Sequence, residues 1–233
     1  MSRNSKALFH FFLLDYRFSI IVFWSIFLAS MIPFIILSVS MDIDIIVSMS
    51  IAIAFFSAIS GFLMTKETFS FSIRLGATRH EYVWSGLLFS VFLAAFMSSF
   101  GQIIVQMGNF ISKTAGLDFS LMQMGAFFNH NPTWFNHLLF DFILTLFLFV
   151  AGFFLSSVFH RFGIIGGLTS LTIFFILMVL PATRSFITDL LILSPENGVF
   201  PLNFLGIFSL ITAMAIFIWV MLRMAPITPG VTR

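Results

Sequence analysis

Long apolar runs broken by short polar islands dominate the chain. A membrane-crossing helix needs about 20 largely apolar residues at 1.5 Å of rise each. Six runs meet that length, over residues 18–40, 45–65, 83–106, 135–159, 164–182 and 203–222. Between the last two lies 183–202, too polar at Ser194 to Gly198 to cross yet apolar from Phe186 to Leu193, which predicts a dipping outer segment. Ahead of the first run, Arg3, Lys6, His10 and Arg17 alternate at near-helical spacing with Leu8, Phe9, Phe11, Phe12, Leu13 and Leu14. That pattern predicts an amphipathic helix on the inner membrane surface over 1–17, or else an extension of the first span. The predicted fold class is an all-α polytopic membrane protein of six spans forming a single unit over 1–233.

Composition supports the class. Of 233 residues, 60% are hydrophobic and 9% charged, against about 25% charged in soluble domains, and the mean hydropathy is +1.10. The net charge of +2 reflects where Lys and Arg sit relative to the bilayer and gives no indication of nucleic-acid binding. In the six-span arrangement Arg3, Lys6, Arg17, Lys66, Arg74, Arg79, Arg161, Arg223 and Arg233 share one side, and only Lys113 and Arg184 fall on the other. The excess of basic residues on cytoplasmic loops therefore predicts cytoplasmic termini. The outer segments are then 41–44, 107–134 and 183–202. Trp84, Trp134 and Trp219 stand near run ends, where indoles anchor at the interface. The absence of Cys removes disulfides, thiol nucleophiles and thiolate metal sites. Asp15 and Arg17 interrupt the first apolar stretch, so it reads as a retained span and not a cleaved signal.

Small residues recur every four positions in the second run, at Ser50, Ala54 and Ala58, with Ser57 and Gly61 one step round. Gly152 with Ser156, and Gly163 with Gly167, repeat the spacing later. Such stripes let helix backbones approach closely in lipid. Pro33 is expected to bend the first span.

The densest polar island is 66–82. Phe69, Phe71, Ile73 and Leu75 alternate with Ser70, Ser72 and Arg74, while Phe69 and Ile73 also fit a helix. Gly76 suits a left-handed helix terminator, and Thr78 with Glu81 forms a capping box. A short helix from about Thr68 to Leu75, a turn at Gly76 and a fresh start at Thr78 are predicted. Fixed to two spans, such a corner can transmit a push.

Phe69, Phe71, Gly76, Thr78, Arg79, Glu81 and Tyr82 fall in register with the segment after the second span in permeases of the ABC-2 transporter type, which this island resembles. Ile73 stands where Leu is commoner, and Gly86 comes one residue late. The resemblance implies a coupling helix, with Phe69, Phe71, Arg74, Gly76, Thr78, Arg79, Glu81 and Tyr82 docking into a separate cytoplasmic ATPase present in two copies. It also implies a second permease subunit, identical or homologous, facing this one in a bacterial plasma membrane. ATP and Mg would then be bound by the ATPase and no cofactor by this chain, which lacks the Gly-x-x-x-x-Gly-Lys-Ser/Thr phosphate loop. The expected function is export of an amphipathic substrate such as an antimicrobial peptide, drug or lipid. The alternative is a six-span substrate-binding component or sensor without ATP coupling.

Other candidate chemistry is sparse. Asp141 lies a turn or so into the fourth run beneath Asn136 and His137, and Gln102 and Gln106 lie four apart in the third above Ser98 and Ser99. These residues either line a translocation route or pair between helices. His130, flanked by Asn129 and Asn131, and His137 lack the spacing of a metal site. No nucleophile turn, intramembrane Asp pair or His-Glu-x-x-His points to a protease, so an enzyme is not expected.

Overall fold

The computed structural model describes residues 3–41, 43–116, 118–127, 133–191 and 203–225. The Asn129, His130 and Asn131 group, Arg233 and the Ser194 to Gly198 stretch lie outside them. Within them the chain runs α1 (Arg3–Met41), β1 (Ile45–Ser48), α2 (Met49–Leu63), a π turn (Met64–Phe69), α3 (Ser70–Arg74), α4 (Arg79–Ala115), β2 (Phe119–Met122), a 3₁₀ turn (Met124–Phe127), α5 (Trp134–Val179), α6 (Pro181–Leu191) and α7 (Phe204–Arg223). Among the described residues five helical stretches are long and apolar enough to cross a membrane: 4–41, 49–74, 79–115, 134–177 and 204–223. This is an all-α membrane-embedded architecture.

Several expected boundaries move. The described part of the 1–17 segment, from Arg3 on, is not a separate interfacial helix but the first part of α1. No breaker divides it from the span, and its Leu8, Phe12 and Tyr16 stripe is buried in the protein core. Phe12 meets Phe89 and Tyr82 edge-on or tilted, and Tyr16 meets Phe89. The Tyr16 hydroxyl donates to the Ser60 carbonyl at 2.6 Å. The second span begins at Met49 and not at 45, because Ile45–Ser48 is extended and pairs in parallel with Phe119–Met122. The helix of the third span, α4, continues past Gln106 to Ala115, ending at Gly116 with φ 65°.

The runs over 135–159 and 164–182 are joined in α5, whose 46 residues would measure about 70 Å if straight, over twice the hydrocarbon thickness. Gly163, at φ 71° and ψ −174°, interrupts it, a conformation open to glycine and costly for other residues. A Cβ on Gly167 would stand 2.3 Å from the Phe159 ring. Residues eight apart on a straight helix are about 12 Å apart along the axis, so the chain bends back at Gly163. The 183–191 part of the expected dipping segment is helical, in α6, and its end meets the start of α7, where the Asn203 amide donates to the Leu191 carbonyl at 2.9 Å.

The central seam joins α2 to α5. A Cβ on Gly61 would stand 2.0 Å from the Phe149 carbonyl oxygen, and one on Gly152 2.2 Å from that of Ala58. The two glycines thus let the backbones touch reciprocally, the packing use expected of the small-residue stripes.

Candidate functional site

The 64–82 corner grows out of α2 without a break. At the π turn the Met64 carbonyl faces the Thr68 hydroxyl at 2.6 Å and the Tyr82 hydroxyl at 2.8 Å, and those hydroxyls are 2.9 Å apart. Two protons shared among three buried oxygens satisfy polar groups that the wider π geometry frees from the α-helical ladder. Phe69, fully buried, is gripped edge-on by Tyr82 at 5.1 Å and His160 at 5.0 Å. The turn therefore has α4 and α5 on its inner side.

After α3 the chain stops in a Schellman motif. The Ala77 amide donates to the Ser72 carbonyl at 3.1 Å and the Gly76 amide to Ile73 at 3.0 Å, with Gly76 at φ 89° as the motif demands. Two residues later α4 opens with the expected capping box. The Glu81 amide donates to Thr78 Oγ1 at 3.2 Å, and the Thr78 amide and hydroxyl donate to Glu81 Oε2 at 3.1 and 2.9 Å. Arg79 turns away from the corner: its Nη1 donates to the Leu222 carbonyl at 3.2 Å and the Arg223 carbonyl at 2.5 Å, neutralising the carbonyl end of α7.

The eight residues expected to contact an ATPase thus divide. Phe69 and Tyr82 are buried braces, Arg79 is a strut to α7, and Glu81 is occupied in the cap. Phe71, Arg74, Gly76 and Thr78 are exposed, as is Leu75 at 70%. Phe71 stacks on Phe11 of α1 at 5.5 Å between ring centroids. The corner is consequently tied to α1, α4, α5 and α7 while one edge remains uncovered. Lys66, Arg74, Arg79, Arg161 and Arg223 gather at this end of the bundle, and Arg161 Nη1 reaches the Val220 carbonyl at 3.5 Å. Phe11, His160 and Arg161 were not assigned to the corner by the sequence pattern, for their link to it is purely tertiary.

At the opposite end a buried polar cluster fastens the 118–127 segment. Ser50 Oγ donates to Asp141 Oδ1 at 2.6 Å, and Gln123 Nε2 donates to Asp141 Oδ2 at 3.0 Å and also to Gln102 Oε1. The Met124 amide donates to Ser50 Oγ at 3.0 Å. All four side chains are less than 7% exposed. Beside them Asn109 exchanges two bonds with the Leu121 backbone, at 3.0 and 2.8 Å, and Ser112 donates to the Phe119 carbonyl. Gln102 and Asp141 therefore meet, joined by Gln123, which stood out by no motif. Gln106 and Ser99 are exposed and take no part. His137 Nδ1 is buried without a hydrogen-bond partner among the described residues. It faces Gly125, where a Cβ would come within 2.9 Å.

No protein-family model matches the chain, and no curated protein or solved structure matches it.

Proposed function

We propose that this chain is the membrane-spanning permease subunit of an ABC-type exporter, a six-span unit driven by a separate cytoplasmic ATPase pair through the 64–82 corner. The observation that carries the proposal is the combination of rigidity and exposure at that corner. A Schellman stop and a capping box stand two residues apart, clamped to four long helices, with Phe71, Arg74 and Leu75 uncovered. A load on that edge reaches α1, α4, α5 and α7 together, as a flexible loop could not arrange. The halves of α5 on either side of Gly163 supply the fourth and fifth spans. The gathering of basic side chains beside the corner supports its placement in the cytoplasm with both termini. In this reading a second permease subunit, identical or homologous, completes the route, and the cargo is amphipathic. The Asp141 cluster fastens the outer segment, since its carboxylate is already engaged by Ser50 and Gln123; Gln106 leaves the set of route residues.

The test is affinity purification of the tagged protein in mild detergent, with identification of co-purifying proteins and ATPase assay, repeated with Arg74→Glu. Arg74 is exposed, so its reversal leaves the fold intact. A co-purifying phosphate-loop ATPase that is lost on the change supports the reading. The absence of any ATPase under gentle extraction overturns it in favour of a substrate-binding or sensor component without ATP coupling.

A further inference from the structure

The parallel pair of β1 and β2 has two outer edges, and only one of them is closed. In a parallel pair alternate residues of each strand bond across. The Ile45 amide donates to the Asp118 carbonyl at 3.0 Å, so the backbone groups of Ile45 and Val47 turn toward β2. On β2 the groups turned the other way belong to Phe119 and Leu121, and α4 takes them. Asn109 exchanges two bonds with the Leu121 backbone, and Ser112 donates to the Phe119 carbonyl. On β1 the groups turned away belong to Ile46, and no described residue bonds its amide or its carbonyl. Ile46 is 62% exposed, and Ile43 just before the strand is 48% exposed. Proteins cover or blunt such strand edges, and an unpaired peptide group costs most where water is scarce.

The two faces of the sheet select the occupant of that edge. Phe119 and Leu121 are buried in the core, and α2 begins directly after β1. The opposite face carries Ile46 and Ser120 side by side, both exposed, with Asp44, Lys113 and Asp118 around a hollow of about 420 Å³. The polar face therefore looks out of the end of the bundle, and the line perpendicular to the sheet runs roughly along the membrane normal. Two copies inserted in the same direction are related by an axis along that normal, and an antiparallel strand pair has its two-fold axis perpendicular to the sheet. Edge pairing thus supplies the symmetry that a membrane dimer requires. The strand also fits itself. Antiparallel pairing centred on Ile46 lets its amide and carbonyl exchange both bonds with the same residue of a second copy. It sets Ile45 opposite Val47 and Asp44 opposite Ser48, so no like charges face each other. We propose that β1 is the contact edge of a homodimer, in which two Ile45–Ser48 strands pair antiparallel through Ile46 and join the two sheets into one of four strands. The proposal rests on the reading above only for the presence of a second copy, which it makes identical.

The chain has no cysteine, so introduced thiols report on the edge without background. In the proposed pair the two Ile46 Cα atoms are about 5.5 Å apart. Ser120 lies one strand further out in each copy, about 14 Å from its counterpart at about 4.8 Å per strand. Full-length Ile46→Cys and Ser120→Cys proteins are treated in their membranes with a bifunctional thiol reagent longer than the first gap and shorter than the second. Ile46→Cys should run mainly as a joined dimer on a denaturing gel, and Ser120→Cys as a monomer. Ile46→Pro removes an N–H that points away from β2, a substitution an edge strand accepts, and should lower the share of dimer in native mass spectrometry, while Ile46→Val should keep it. Elution as a single species checks that each variant is folded, and Ile46→Asp, which sets like charges opposite each other, gives the same reading should Ile46→Pro fail to purify. Ile46→Cys that stays monomeric overturns the proposal, which is the outcome if an extended segment of another protein covers the edge. Joining of Ser120→Cys as efficient as that of Ile46→Cys overturns it as chance collision, and so does a dimer share undiminished by Ile46→Pro or Ile46→Asp. None of these readings involves an ATPase, so the dimer edge and the ATP coupling can fail separately.

Discussion

The two ends of the bundle are both rigid, but they achieve it by opposite means. At the 64–82 corner the chain is held largely by bonds local to each turn, the Schellman stop and the capping box, supplemented by the Tyr82 hydroxyl at the π turn and by aromatic faces. Local bonds fix the backbone while leaving the outward side chains free. At the far end the 118–127 segment is held by side chains far apart in sequence that meet in the interior: Ser50, Gln102, Gln123 and Asp141. That arrangement consumes the polar groups it uses. A partner can read the first kind of structure from outside, whereas the second is sealed. Rigidity alone does not identify a contact surface, and the direction in which the fastening groups point does.

The largest expected effect comes from the seam shared by both ends. Gly152→Val would drive a side chain into the Ala58 carbonyl, already 2.2 Å from an ideal Cβ, and should cost about 3 kcal/mol. Both ends should loosen together, seen as loss of monodisperse protein after mild heating. Next is Asp141→Ala, which leaves buried Ser50 and Gln123 donors unmatched and should cost about 2 kcal/mol. Faster proteolysis confined to 116–127 should accompany it, and Asp141→Asn should lose less than half as much. If Asp141→Ala unfolds at the parent temperature, the sealed cluster is not a fastening and the contrast fails. Tyr82→Phe keeps the ring packing but removes a hydroxyl from the Met64 carbonyl, for about 1 kcal/mol, with faster amide exchange at the π turn and none at 118–127. Thr78→Ala removes the cap and should cost a similar or slightly smaller amount, about 1 kcal/mol, with exchange limited to the first turn of α4. Smallest of all, Leu75→Ser on the exposed edge should change stability by less than about 0.5 kcal/mol. A large loss there would show that the edge is covered within the chain.

Legibility from sequence followed the range of the interactions. The Gly76 terminator and the Thr78–Glu81 box depend on residues three to five apart, and both stand as expected. The close approach at Gly61 and Gly152 followed from spacing as well, though not which glycine met which helix. The π turn was invisible, because the Met64 carbonyl takes Tyr82 from 18 residues away and no local pattern marks such a bond. The parallel pairing of 45–48 with 119–122 was hidden likewise, since a four-residue Ile-Ile-Val-Ser strand reads as the start of an apolar span. Gln102 and Gln106 looked equivalent at a spacing of four, yet each such step carries the stripe about 40° round the helix. That rotation leaves Gln106 exposed while Gln102 meets Gln123 inside. Arg79 was grouped with the corner by the resemblance alone, and its bonds to the α7 carbonyls 143 and 144 residues on left no local trace.

The π turn also sets an angle. Each residue of an α-helix advances the azimuth by about 100°, and the six residues Met64–Phe69 wind more loosely than that. The face that α3 offers is therefore decoupled from the face that α2 packs, so the two can be tuned independently. Removing a single residue from that stretch would swing Phe71, Arg74 and Leu75 about a quarter of a turn around the axis without altering any of them. The direction of the exposed edge is accordingly a matter of phase, written in the length of one turn more than in the identity of its side chains.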